Sequence, residues 1–246
     1  FKNVSLTYSG SGAPSVEGIN FKAMKGQTIG VIGGTGSGKS SLVNLIPRLY
    51  DATQGEVLVD GVNVKDYDIE ALRNKVGIVM QKAVLFKGTI RENMWMGKKG
   101  ATDEQIDEAL EISQSKEFVD SKQGRLDYVI EQGGKNLSGG QRQRLTIARA
   151  IVRKPDVLIL DDSASALDFA TDAALRKAIR GMNNSPTVFI VSQRAASLMY
   201  ADLIIVLDDG QVAGMGTHDE LLANCEVYKE IYESQFKKAD SEGGVA

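Results

Sequence analysis

The feature that most constrains this chain is the segment Gly33-Gly34-Thr35-Gly36-Ser37-Gly38-Lys39-Ser40. It fits the pattern G-x-x-x-x-G-K-[ST], which describes a loop that surrounds phosphate groups with backbone N–H donors. The apolar run 28–32 before the loop predicts a buried strand, and residues 41–46 after it predict the start of a helix. Strand, glycine loop and helix in this order predict an α/β protein that binds a phosphate-containing ligand.

Individual residues of this loop have separate predicted roles. Lys39 is expected to reach the β- and γ-phosphates of a nucleotide, and the Ser40 hydroxyl is expected to bind Mg²⁺. Residues 33–40 and the adjoining Ser41 are therefore candidate cofactor-binding residues. The alternative is a glycine-rich turn before an ordinary helix, which does not account for the lysine, the serine and both flanking elements together.

Amino-acid composition limits the classes of protein to which this chain can belong. The 246 residues are 42% hydrophobic and 25% charged, which is typical of a globular domain with a proper core. The net charge of −3 comes without any basic block, so there is no electrostatic footprint for nucleic acid. The single cysteine, Cys225, excludes an internal disulfide, favours a reducing compartment and is expected to be a packed thiol. There is no apolar run of the ~18 residues that a membrane span needs, and no secretory signal.

The order of predicted elements suggests one domain over 1–246 with an inserted segment. Alternating residues at 4–8 and 19–23 predict strands of an N-terminal antiparallel β subdomain. Residues 83–155 predict a helical insert, with a capping box that starts at Thr102. Continuous apolar runs at 157–160 and 187–191 then predict buried strands of a mostly parallel sheet. The segment Asp208-Asp209-Gly210 predicts a hairpin, and residues 239–246 predict a flexible tail.

Two further segments carry chemistry. The strand Leu158-Ile159-Leu160 ends at Asp161, a carboxylate that belongs beside Mg²⁺ at the carboxyl edge of such a sheet, although aspartate also ends many ordinary strands. The segment Leu137-Ser138-Gly139-Gly140-Gln141 fits a helix capping box, which explains the serine and the glutamine. It does not explain two glycines in a first helical turn, each of which costs roughly 1 kcal/mol relative to alanine. Close approach of backbone N–H groups to a phosphate would justify them.

Together these residues resemble the nucleotide-binding domain of an ATP-binding-cassette (ABC) transporter, from Tyr8 to the last helix. The segment 137–141 is similar to the family signature. The resemblance implies that Tyr8 stacks on adenine, and that Gln81 contacts Mg²⁺ and couples to a membrane domain. It also implies that the loop 165–168, with Asp168, is exchanged across a head-to-tail dimer. Each ATP would then lie between one chain's glycine loop and Ser138, Gly139, Gly140 and Gln141 of the other chain. Tyr8 as an ordinary strand aromatic, Gln81 as a strand cap and Asp168 as a helix N-cap remain the plainer alternatives.

Two residues depart from the family pattern. Asp162 stands where the family has the glutamate that acts on the attacking water. Aspartate and glutamate differ by only ~0.4 pKa unit, but aspartate is one methylene shorter, and a misplacement of about 1 Å can cost on the order of 100-fold in rate. Gln193 stands where the family usually has a histidine beside the γ-phosphate, and glutamine cannot carry a charge. His218, the single histidine, is expected to be a solvated surface residue.

These departures resemble the degenerate half of a heterodimeric ABC exporter. Its own pocket is expected to bind Mg·ATP and hydrolyse it slowly, while its signature completes a competent pocket on a partner cassette that has the glutamate and the histidine. The segment 85–93 is similar to exporters rather than importers. A membrane domain is expected in fusion ahead of the chain, which would place the cassette at the cytoplasmic face of the membrane and explain a start at Phe1.

Other members of the signature-bearing class fit less well. Chromosome-maintenance and DNA-repair ATPases need long heptad arms between the glycine loop and the signature, and this chain has none. Translation factors with paired cassettes need a second glycine loop, which is also missing. A free-standing importer ATPase and a purely regulatory ATP-binding module remain open as alternatives.

Overall fold

The computed structural model describes residues 1–163 and 166–242, with the backbone alone for 236–242. The chain divides into two compact units. The first unit contains residues 1–73 and the chain from 187 onward, and the second contains residues 74–186. The region expected to be a helical insert, 83–155, lies wholly within the second unit.

The described residues form strands and helices in mixed order along the chain. The strands are β1 (Lys2–Leu6), β2 (Val16–Ile19), β3 (Thr28–Ile32), β4 (Gln54–Glu56), β5 (Leu58–Val59), β6 (Val62–Asn63), β7 (Val76–Val79), β8 (Gly88–Thr89), β9 (Val129–Ile130), β10 (Val157–Asp161), β11 (Thr187–Val191), β12 (Leu203–Asp208) and β13 (Gln211–Gly216). The helices are α1 (Lys39–Asn44), α2 (Ile69–Lys75), α3 (Ile90–Trp95), α4 (Asp103–Ile112), α5 (Lys116–Asp120), α6 (Gly139–Ile151), α7 (Phe169–Arg180), α8 (His218–Asn224) and α9 (Glu226–Glu242).

A mostly parallel sheet forms the core of the first unit. β3 lies between β11 and β12 and runs parallel to both, whereas β13 is antiparallel to β12. Every residue of β3 and β11 is buried, as the continuous apolar runs predict for strands covered on both faces. The turn between β12 and β13 has positive φ at Asp209 (42°) and Gly210 (79°), which matches the twist of a two-residue hairpin. The α/β class, the mostly parallel sheet and the hairpin are therefore confirmed.

A smaller antiparallel sheet, in the order β2-β1-β4, forms the N-terminal part of the first unit. The antiparallel β subdomain is thus confirmed, but the predicted strand 19–23 is wrong, since β2 covers 16–19. The side chain of Asn20 accepts a hydrogen bond from the Asn3 backbone N–H and donates one to the Gly18 carbonyl, which ends the ladder. Phe21 then stacks on Phe1 at a centroid distance of 4.4 Å.

Two C-terminal helices complete the first unit. The thiol of Cys225 is buried, as expected, with its Sγ 3.8 Å from the Ala213 carbonyl oxygen. His218 is half-buried rather than solvated, so that expectation is wrong. Its Nδ1 lies 2.8 Å from the hydroxyl of the fully buried Tyr228, and its ring also lies against Tyr232. α9 continues through Glu242, where a tail from residue 239 was expected; residues 243–246 lie outside the described part of the chain.

The second unit contains the parallel pair β7 and β10 together with helices α3 to α7. The predicted capping box at Thr102 is confirmed at the start of α4, where the hydroxyl accepts a hydrogen bond from the Gln105 backbone N–H. The short antiparallel strands β8 and β9 interrupt the segment expected to be helical. Trp95, the single tryptophan of the chain, ends α3 and donates from Nε1 to the Ala101 carbonyl.

Within residues 1–163 and 166–242, no helix is both long enough and apolar enough to cross a membrane.

Candidate functional site

The glycine loop joins β3 to α1 in the first unit, and two of its glycines are required by the space around them. A Cβ on Gly33 would lie 2.1 Å from the Leu207 carbonyl oxygen, and one on Gly38 would lie 2.2 Å from the Ser15 carbonyl oxygen. Gly38 also has a φ of +92°, which L side chains rarely adopt. The backbone of neighbouring segments therefore passes so close that no larger residue fits.

Lys39 folds back over this loop. Its Nζ donates to the Gly33 carbonyl at 2.9 Å and to the Gly34 carbonyl at 2.6 Å, and lies 3.4 Å from Ser37 Oγ. The side chain is 8% exposed, whereas the loop residues 34–36 are exposed. A compact ammonium is thus held against the loop, beside backbone that is open to a ligand.

Tyr8 joins the N-terminal sheet to the helix that follows the glycine loop. Its hydroxyl donates to Ser41 Oγ at 3.0 Å, two residues after Lys39. Its ring is half-buried and packs edge-on against Tyr50, at a centroid distance of 4.9 Å. The structure therefore places the predicted aromatic at the first turn of α1. The sequence reading missed Tyr50, whose only signal was an aromatic residue shortly after the helix.

Gln193 lies at the same sheet edge as the glycine loop. In the parallel pair of β11 and β3, Val191 is opposite Val31, and Ser192 donates to the Val31 carbonyl. Gln193 and Gly33 each come two residues after this pair, and adjacent strands are about 4.8 Å apart. The exposed Gln193 thus follows the end of the strand adjacent to β3, just as the glycine loop follows the end of β3.

The second unit brings Gln81 and Asp162 together. β7 and β10 pair in parallel with Val79 opposite Leu160, so both polar residues lie two positions beyond the same pair. Gln81 Nε2 donates to Asp162 Oδ2 at 3.3 Å. Asp162 has a φ of +44°, a left-handed conformation that aspartate tolerates better than most residues. Asp161, the last residue of β10, is 4% exposed.

The segment Leu137–Gln141 also lies in the second unit and starts α6. The Ser138 hydroxyl accepts a hydrogen bond from the Gln141 backbone N–H, and Gln141 Oε1 accepts one from the Ser138 backbone N–H, so the capping box is confirmed. A Cβ on Gly139 would meet, among the described atoms, just the end of the Arg142 side chain at 4.0 Å. On Gly140 it would make ordinary contact with the Ala166 carbonyl at 3.4 Å. Packing against the described residues therefore does not require glycine at 139.

Asp168 caps α7, as the plainer alternative predicted. Its carboxylate accepts from the Thr171 backbone N–H at 2.9 Å and from Thr171 Oγ1 at 2.7 Å. These hydrogen bonds, first the one from the Thr171 backbone, hold the pKa of Asp168 below its usual value. Residues 164–165, including Ser165 of the predicted exchange loop, lie outside the described residues.

The candidate residues thus fall into two groups. The glycine loop, Tyr8 and Gln193 belong to the first unit. Gln81, Asp161, Asp162, the signature segment and Asp168 belong to the second. The predicted Mg²⁺ ligands are divided in the same way, with Ser40 in the first unit and the other two in the second. In the part of the chain that the structure describes, no three His, Cys, Asp or Glu side chains gather as metal ligands.

A glycine loop between a buried parallel strand and a helix, with a lysine folded onto it, defines a P-loop nucleotide-binding protein. A family model described as ABC transporter matches residues 16–165, and the chain belongs to that family.

Known proteins support this assignment. The uncharacterised ABC transporter ATP-binding protein YfiB of Bacillus subtilis is 43% identical over 242 residues, which are 98% of this chain and 42% of that protein. A Staphylococcus aureus protein, named for multidrug export as an ATP-binding/permease protein, is 39% identical over 233 residues, which are 95% of this chain and 40% of that protein.

The structure of a bacterial Atm1-family ABC exporter with ATP bound is similar at a TM-score of 0.90 and 32% identity, over 96% of this chain and 41% of that one. The chain therefore spans about two fifths of the length of these relatives.

Proposed function

We propose that this chain binds Mg·ATP as one cassette of a membrane transporter, pairs head to tail with a second, non-identical cassette, and helps to drive export. The glycine loop is the observation that carries the proposal. Its exposed stretch 34–36 and the Lys39 ammonium lie on the same short loop, so N–H donors and a positive charge are available to one anion. Lys39 would exchange its carbonyl acceptors for phosphate oxygens, which form stronger charge-assisted hydrogen bonds.

The predicted Mg²⁺ ligands fit the ion by their chemistry. Ser40 offers a hydroxyl, Asp161 a carboxylate and Gln81 an amide oxygen, and Mg²⁺ prefers such hard oxygen ligands. When bound, Mg²⁺ would neutralise charge on the triphosphate. The buried position of Asp161 at a strand end suits a carboxylate that balances a cation.

The residues expected to act on water support slow hydrolysis in this chain's own pocket. The Asp162 carboxylate accepts a hydrogen bond from Gln81, which draws it toward its neighbour on the parallel strand. It is also one methylene shorter than the glutamate of the family pattern. Gln193 can donate a hydrogen bond to the γ-phosphate but supplies no positive charge.

The signature segment supports the pairing of cassettes. Gly139 is exposed, and among the described atoms a Cβ there would meet just the end of the Arg142 side chain at 4.0 Å. Glycine at this position therefore weakens α6 by roughly 1 kcal/mol relative to alanine, with no packing benefit from the described residues. Close approach to a nucleotide held by a partner would account for this cost.

Transport is supported by the relatives and by exposed apolar surface. Both the Staphylococcus aureus protein and the Atm1-family protein are named as exporters. In this chain Met80, Val84 and Phe86, all within five residues of Gln81 in sequence, are 46%, 41% and 49% exposed. Several exposed large apolar side chains in one short segment favour an interaction site. We assign them to contact with a membrane domain, which would place the chain at the cytoplasmic face of the membrane.

The contributions of this chain's own ATP pocket and the partner's ATP pocket can be distinguished by mutating this chain alone in the reconstituted pair of cassettes. Asp162 would face this chain's own ATP, and Asp162→Ala should lower steady-state ATPase less than about twofold. Gly139 would face the partner's ATP, and Gly139→Asp should lower it more than about tenfold, because the new carboxylate opposes a triphosphate. Gly181→Asp is the matched control, since Gly181 is also exposed in the second unit, has an ordinary φ of −80°, and would bring a Cβ no closer than 3.4 Å to the described atoms around it. Equal loss of activity in Asp162→Ala and Gly139→Asp would mean that this chain's own pocket is catalytic.

A further inference from the structure

A side chain of the C-terminal helix α9 binds the loop that carries Gln193, at that residue and two residues beyond it. Gln235 Nε2 donates to the Gln193 carbonyl at 2.7 Å, and Gln235 Oε1 accepts from the Ala195 backbone N–H at 2.9 Å. Between these two points, the Arg194 backbone N–H donates to Ser192 Oγ at 2.9 Å. The backbone around Gln193 is thus fixed while its side chain stays exposed.

The chemistry of this contact is specific to a side-chain amide. One partner on the loop is a carbonyl, which needs a donor, and the other is an N–H, which needs an acceptor. A glutamine satisfies both with one planar group, and just one orientation of the amide does so. A glutamate of the same size can accept from Ala195 but would oppose the Gln193 carbonyl with negative charge.

The helix that presents Gln235 is itself anchored. Tyr228 is fully buried, and its hydroxyl lies 2.8 Å from His218 Nδ1. Residues seven apart are about two turns apart and face the same side of a helix, so Tyr228 and Gln235 share one face of α9. The anchored helix therefore holds Gln235 at a fixed position against the loop.

We propose that Gln235 is a positioning residue for Gln193, through which the C-terminal helix sets how this chain recognises the γ-phosphate of its own nucleotide. The inference rests on the proposed function, in which Gln193 faces that phosphate. Since Gln235 would act through Gln193, it should affect ATP and spare ADP, which has no γ-phosphate.

The test is calorimetric binding of Mg·ATP and Mg·ADP to the purified 246-residue chain and its variants. Gln235→Glu should raise the Kd for ATP by about threefold to tenfold, the net effect of one hydrogen bond, and change the Kd for ADP less than about twofold. Gln193→Ala should raise the Kd for ATP by a similar factor and leave the Kd for ADP nearly unchanged. The double variant should bind ATP no more weakly than Gln193→Ala alone. Ser234→Ala is the matched control, because the Ser234 hydroxyl bonds within α9, to the Ile231 carbonyl.

Other outcomes distinguish a failure of the inference about Gln235 from a failure of the proposed function. Equal weakening of ATP and ADP by Gln235→Glu would overturn the inference, since it would indicate general damage to the fold. ATP binding that responds to Gln193→Ala but not to Gln235→Glu or Gln235→Leu would also overturn it, while leaving the proposed function intact. If the unmodified chain bound neither nucleotide, or if Gln193→Ala had no effect, the proposed role of Gln193 would fail and the inference with it.

Discussion

Replacing Gly38 with alanine is expected to destabilise the first unit more than replacing Gly36, although both glycines have left-handed backbones. Their φ angles are +92° and +83°, so an alanine costs about 1–2 kcal/mol at either position. A Cβ on Gly36 meets no described atom within 4 Å. A Cβ on Gly38 would lie 2.2 Å from the Ser15 carbonyl oxygen and 2.7 Å from Val16 Cγ1.

The additional cost at Gly38 follows from these distances. A Cβ approaches other heavy atoms no closer than 3.0 Å, so the loop or the segment at Ser15 would have to move by nearly 1 Å. That segment is tied to β1, because the Ser15 N–H donates to the Leu6 carbonyl at 2.7 Å. Overpacking of this kind costs about 1–3 kcal/mol. We therefore expect about 2–5 kcal/mol for Gly38→Ala and about 1–2 kcal/mol for Gly36→Ala.

Thermal unfolding followed by far-UV circular dichroism, without nucleotide, distinguishes the two variants. For a chain of this size, 1 kcal/mol shifts the Tm by about 2–4 °C, so the two Tm values should differ by about 2–12 °C. If both variants unfolded at the same temperature, the loop would be relaxing around the new methyl group. The close approach of Ser15 would then not be what requires glycine at position 38.

Three further predictions concern charge and protonation. Lys39→Ala should weaken ATP binding about tenfold or more by calorimetry while leaving the Tm nearly unchanged, and equal affinities would contradict the role of Lys39. The unmodified chain should hydrolyse ATP barely above background in a phosphate-release assay. Asp162→Glu combined with Gln193→His should raise this turnover by about 10- to 100-fold. Brisk turnover by the unmodified chain would show that Asp162 reaches the attacking water. Burial raises the pKa of Tyr228 to about 12, so the unfolded phenol ionises first and stability should fall by about 2–3 kcal/mol as the pH rises from about 10 to 12. In urea unfolding, Tyr228→Phe should lose less stability than the unmodified chain between about pH 10 and 12. If both proteins lost the same stability over this range, Tyr228 would not be the group responsible.

The core strands were predictable because one physical signal dominates there. The runs 28–32 and 187–191 carry no charged residue and are apolar after their first threonine, and the structure has β3 and β11 with those same bounds. The hairpin at Asp208-Asp209-Gly210 was equally clear, since few residues tolerate the positive φ that its turn requires. Capping boxes at Thr102 and Ser138 depend on residues three apart, so they too could be found locally.

The errors occur where distant residues decide the local structure. Alternation at 19–23 indicated a strand, but the contacts of Asn20 with Asn3 and of Phe21 with Phe1 connect residues far apart in sequence. The half-buried state of His218 depends on two tyrosines of the next helix. Periodicity within a window contains no information about such pairs.

The candidate site was predictable in type and less so in arrangement. The glycine loop and Lys39 follow from a motif, and the Gln81–Asp162 contact follows from the register of two parallel strands, which a sequence does not reveal. Gln235 was missed because glutamine on a polar helix is ordinary. Its importance depends on a contact with a loop 42 residues earlier in the chain.

The buried position of Cys225 makes it a native probe of one half of the molecule. A thiol reagent can alkylate this side chain only when α8 and β13 separate, so the labelling rate reports the opening of the first unit. Trp95, the single tryptophan, lies in the second unit, and its fluorescence reports that unit instead. One unlabelled sample can therefore show which half opens first in denaturant, and which half a bound nucleotide protects.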